Sequence, residues 1–133
     1  MTQNLQLEIK VIKKFVDKAK QERYIQFVSS QKNRYKFIRD LSHFNDFKWD
    51  LFDAVNGNEE QIILQALQNN NIVSKTCYVI SENADIDARI IEIKKAISET
   101  AGYSMGTILV FGDADMIYFE SESMNTRFIS KKV

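Results

Sequence analysis

Residues 106–122, GTILVFGDADMIYFESE, constrain the fold of this 133-residue chain more than any other stretch. Two short runs rich in β-branched and aromatic residues flank Gly112-Asp113-Ala114-Asp115. Apolar runs of that length around a turn-forming segment read as a β-hairpin. An isolated hairpin is marginal in water, so the rest of the chain must pack against this one. Along its second strand, Ile117 and Phe119 alternate with Met116, Tyr118 and Glu120. With the first pair turned to the core, Met116, Tyr118 and Glu120 are expected on the outside, as a partner-binding strip.

Upstream the apolar period is helical. Leu5, Ile9, Ile12, Val16 and Ala19 recur at spacings of four and three, so residues 4–29 read as helix, with a new face from Tyr24, Phe27 and Val28. Phe37, Leu41, Phe44, Leu51 and Val55 extend the same reading over 34–55, with Asn45-Asp46 a point where it breaks in two. Asn58, Glu59, Glu60 and Gln61 open a third helix, because a capping side chain and early acids suit a helix N-terminus. Residues 75–81, KTCYVIS, switch to a core strand. Ile86, Ile90, Ile93 and Ile97 at spacings of four, three and four predict an amphipathic helix, and Gly102 ends it. Residues 126–130, TRFIS, add an edge strand. The expected class is α+β, in a single domain over 1–133. Three or four N-terminal helices (1–71) precede a β-α-β-β part (72–133) whose small twisted sheet carries helices on one face. Were the strand at 76–81 parallel to the first hairpin strand, the crossover between them would be right-handed.

The totals narrow the function classes. Eighteen basic and eighteen acidic side chains leave no global field for nucleic acid or membrane. The charge is divided, however: residues 8–48 hold eleven basic and five acidic side chains, and the remainder the opposite excess. One cysteine, Cys77, forms no internal disulfide and fits no multi-cysteine zinc motif. A reducing compartment suits it, and the start lacks the continuous apolar core of a secretory signal. The cytoplasm is therefore the expected location, with no membrane span.

Several chemistries are suggested by pattern, and each has a plainer explanation. Gly102-Tyr103-Ser104-Met105-Gly106 matches the G-x-S-x-G elbow of hydrolases. That elbow is a strand-to-helix turn, whereas here a helix precedes and a strand follows. His43, Asp46, Asp50 and Asp53 share one face of a continuous helix, but a polar face opposite an apolar stripe needs no function. Asp85/Asp87 and Asp113/Asp115 are D-x-D pairs of the kind that bind divalent cations, and equally suit a helix start and a hairpin turn. Cys77, mid-strand among apolar neighbours, reads as a buried inert thiol. The segment 32–39, KNRYKFIR, interleaves cations and aromatics as single-strand binders do.

No catalytic residue, metal site or cofactor emerges. The expected function is a small non-catalytic binding or regulatory protein acting through protein contacts or self-association, with a protein partner or a homo-oligomer. One alternative is a nucleic-acid-binding protein using the basic segment 10–39, with Lys32, Arg34, Tyr35, Lys36 and Arg39 in contact. The other is a metal-dependent hydrolase built on His43 and the Asp pairs.

Overall fold

The computed structural model describes residues 3–123 and 126–133. Six strands form one sheet in the order β1-β6-β5-β4-β2-β3, with every neighbouring pair antiparallel. They are β1 (Phe52–Ala54), β2 (Thr76–Ser81), β3 (Ile90–Glu92), β4 (Thr107–Phe111), β5 (Met116–Glu120) and β6 (Arg127–Ser130). The hairpin is β4–β5, in the register Val110 opposite Ile117 and Ile108 opposite Phe119. Residues 126–130 do form a strand, but β6 lies between β5 and β1 and is not an edge.

The α+β class holds, and helices cover both faces of the sheet. On one face lie α1 (Leu5–Phe15), α2 (Lys18–Val28) and α3 (Arg34–Asp40), packed on Tyr78, Ile80, Ile108, Val110, Ile117 and Phe119. On the other lie α4 (Glu59–Asn69) and α5 (Ile93–Thr100), packed on Val79, Leu109, Phe111, Met116 and Tyr118. The expectation of an uncovered outer face is corrected by this second layer. Its signal was in the sequence: residues 108–111 of β4 and 116–119 of β5 are continuous apolar runs, and such strands are buried on both sides.

The helical reading needs three adjustments. The helix over 4–29 is two, because Val16 turns extended (ψ 140°) and Asp17 starts α2. The helix over 34–55 stops at Asp40, followed by short 3₁₀ turns at Leu41–His43 and Trp49–Leu51 with non-helical chain between them. There Asp17 N–H donates to Asp46 and Lys48 N–H to Phe15, which stitches this segment to the end of α1. It thereby carries Phe44 and Phe47 onto the sheet, with ring centroids of Phe47 and Phe119 4.9 Å apart. Phenylalanine, asparagine and aspartate are weak helix formers, so aromatic packing overrides the spacing. The isoleucine series is also divided: Ile86 lies in a turn, Ala88 takes a positive φ of 57°, Ile90 lies in β3 and the helix starts only at Ile93. β2 and β4 run antiparallel, so no parallel crossover exists between them.

Candidate functional site

Each face of the sheet holds one arginine shared by two carboxylates. Between the sheet and α1–α3, Arg34 Nε and Nη2 donate to Glu8, while Nη1 and Nη2 donate to Asp87, the closest contact being 2.6 Å. Glu8 is 0% exposed. It also accepts from Tyr78 Oη at 2.6 Å and from Gln3 Nε2 at 2.7 Å. Burial disfavours the Arg34 charge, yet the bonds to Asp87 and Glu8 outweigh it and hold the guanidinium above its ordinary range.

Between the sheet and α4–α5, Arg127 Nη1 donates to Glu59 at 2.7 Å, and Glu120 lies 3.5 Å from Arg127 Nε. Glu120, 0% exposed, instead accepts from Tyr118 Oη at 2.9 Å and from the amides of Gly102 and Ser104 at 3.2 and 2.8 Å. Burial first, then the Glu120 charge, pushes the Tyr118 phenol above its usual value. These bonds make residues 102–106 a fixed loop. Gly102 and Ser104 both take left-handed backbone (φ 88° and 55°), and Gly106 N–H donates to Glu82 at 2.6 Å. Gly106 is a glycine because a Cβ there would lie 2.6 Å from the Leu41 carbonyl carbon. The loop therefore holds two side chains in solvent, Tyr103 at 63% exposure and Met105 at 37%.

That loop borders β3. A cleft of about 720 Å³ runs along the α5 side of β3, lined by Ile90, Ile91, Tyr103 and Met105 with Asp85, Arg89, Glu92, Lys95 and Glu99 among its charged groups. On the opposite face a smaller cleft of about 130 Å³ lies against Leu7, Tyr78, Val110 and Ile90. Ile90 stands 71% exposed between the two. β3 is one end of the sheet, so its outer backbone groups have no strand to pair with among the described residues.

The residues singled out from sequence fare differently. Met116, Tyr118 and Glu120 are buried at 1, 0 and 0% exposure, which removes the expected outer strip around Tyr118. Of the basic set, Arg34 is consumed by Glu8 and Asp87, so it is not a free cation. Lys32, Tyr35 and Arg39 remain exposed and Lys36 half-buried. Arg39 lies over the Tyr35 ring at 6.0 Å and Lys36 over Phe27 at 5.6 Å. His43 is brought not to an Asp pair but to Glu122, 3.4 Å away and exposed. Asp87 belongs to Arg34, and Asp113 to Lys10, whose hydrogen bond keeps that carboxyl below its ordinary range. Among the described residues, no three His, Cys, Asp or Glu side chains gather to hold a metal ion. Ser104 donates its backbone N–H to Glu120 in a helix-to-strand loop. Cys77 is buried, and burial pushes its thiol up to about 12. Ile90, Tyr103 and Met105 were missed as a group, since forty-odd ångströms of unfolded chain (roughly 3.3 Å per residue) separate them and only the sheet edge brings them together.

No helix among the described residues is long and apolar enough to cross a membrane. No family model, curated protein or solved structure matches the chain.

Proposed function

We propose that this chain is a non-catalytic binding protein acting through protein contacts, and that its contact surface is the open edge of β3. One observation carries the reading: an unpaired strand edge coincides with exposed apolar side chains and with a cleft on each face. Strand addition needs that combination. Main-chain hydrogen bonds supply affinity, and side chains of the added segment alternate between the two faces, so each face must have room. Tyr103 and Met105 are the kinds of side chain that anchor interfaces, held in place by Glu120 and Glu82 so that little is lost in ordering them on binding. The absence of catalysis is supported by how the reactive candidates are engaged, with Glu8, Asp87 and Glu120 satisfied by internal partners and the Cys77 thiol held neutral.

A displayed library of random linear peptides, selected in parallel on the protein and on its Ile90→Lys variant, tests this. The expected outcome is a set of peptides that bind the first and not the second and that slow amide exchange at Ile90 and Glu92. Failure to select any, or peptides indifferent to the substitution, overturns the reading. The nucleic-acid alternative keeps Lys32, Tyr35 and Arg39 exposed and Lys36 half-buried. Retention of a labelled oligothymidylate that falls steeply with added salt would favour it instead.

A further inference from the structure

We infer that the occupant of the β3 edge is a second copy of this chain, paired edge to edge about a two-fold axis. The inference rests on the docking reading above and adds the identity of the partner.

The backbone supplies the register. Val79 N–H donates to the Arg89 carbonyl and Ile93 N–H to the Lys75 carbonyl, each at 2.9 Å, so the odd-numbered residues of this segment face β2. In an antiparallel ladder the alternate residues then direct N–H and C=O outward, here Ile90 and Glu92. A two-fold axis at Ile91 sets Ile90 of one copy opposite Glu92 of the other, and the reverse. Each outward group thus meets an outward group, and the pairing is reciprocal, as a closed dimer requires. Ile90 and Glu92 project on the α1 face, opposite Tyr78 and Thr76. The small cleft floored by Leu7, Tyr78 and Val110 offers space beside Ile90 of each copy.

The charges favour a copy over a stranger. The larger cleft carries both signs, with Asp85, Glu92 and Glu99 beside Arg89 and Lys95. A rim of one sign repels its own copy and selects an oppositely charged partner, whereas a mixed rim can be complementary to itself. Eighteen basic against eighteen acidic side chains leave no net repulsion between two chains. The surface also has the layout of an interface, with Ile90, Tyr103 and Met105 apolar within a polar rim.

Sedimentation over a wide concentration range, combined with amide exchange, tests the inference. The expected result is a concentration-dependent dimer with slowed exchange at Ile90 and Glu92. Ile90→Lys, at an exposed site that leaves the core intact, is expected to raise the dissociation constant by about 100-fold or more. The circular dichroism of that variant should match the parent, and Tyr103→Ala gives a second reading should it not. A dimer unaffected by both substitutions, with no protection at β3, overturns the inference. So does a protein that stays monomeric. If that monomer still selects peptides at the edge, only the second copy is excluded. If it selects none, the docking reading falls with it.

Discussion

The two arginine clusters look alike in composition and differ in what holds them. Arg34 has every guanidinium nitrogen on a carboxylate, and those carboxylates come from α1 and from the turn between β2 and β3. The cation is the centre of that cluster. In the other, Glu120 is the centre: it takes a phenol and two backbone amides, while Arg127 Nε is buried with no hydrogen-bond partner among the described residues. A buried charge is costly unless fully paired, so the group whose loss strands the most partners decides the stability of each cluster. The first cluster fastens the helical layer to the sheet beside β3. The second fastens the loop that presents Tyr103 and Met105. The two sides of the β3 edge are thus held by different chemistry.

The largest effect expected is from Arg34→Ala. It leaves buried Glu8 and half-buried Asp87 together without their cation and should cost about 3–5 kcal/mol in urea unfolding. Arg34→Lys should not restore this, because an ammonium cannot reproduce the two-sided fork. If Arg34→Ala costs no more than Arg127→Met, the contrast is broken. Glu120→Gln comes next. Its amide cannot accept from Tyr118, Gly102 and Ser104 together, so a cost of about 1–3 kcal/mol is expected. Amide exchange at Gly102 and Ser104 should quicken in that variant, and unchanged exchange would mean the loop is held by something else. Arg127→Met should cost about 1–2 kcal/mol, since it removes the Glu59 bond and an orphaned Nε but leaves all three hydrogen-bond donors to Glu120 in place. Chemical unfolding of the pair Glu120→Gln and Arg127→Met separates carboxylate from cation.

The smallest effect at neutral pH appears only in alkali. Burial comes first and the Glu8 hydrogen bond second in raising the Tyr78 phenol, and burial with the Glu120 charge does the same for Tyr118. A phenol whose folded value lies above its unfolded value of about 10 contributes stability that is fully present below that pH. That stability is lost as pH rises through the folded value. Unfolding free energy should therefore fall above pH ~10, and Tyr78→Phe and Tyr118→Phe should each flatten the decline. An unchanged decline in both variants would place its origin elsewhere, with Tyr24 the next group to examine because burial, Asp40 and Asp46 raise it too.

How much was legible varies by element. The hairpin, the strand at 76–81 and the helix that begins after Asn58 are local statements, written in β-branched runs and early acids, and they hold, although Asn58 itself takes left-handed backbone and its side chain makes no capping bond. The segment 44–55 was misread because Phe44, Leu51 and Val55 recur at helical spacing, while the chain there leaves the helix to pack the Phe44 ring on Phe119 and the Phe47 ring on Phe52. The isoleucines at 86, 90, 93 and 97 serve a turn, a strand and a helix in succession, and spacing alone does not separate these. Glu8 and Glu120 resembled surface acids; only their distant partners, Arg34 at one and the amides of 102 and 104 at the other, make burial affordable.

By itself the sequence determined the class, the central hairpin and the start of α4, because those depend on residues close along the chain. Tertiary structure alone decided that the charged Glu120 is inside and the apolar Ile90 outside. A strand's side chains know their two faces but not what covers each one, and coverage is set by where α4 and α5 land. The same landing left β3 as the open edge beside Tyr103 and Met105, the surface we propose as the docking site.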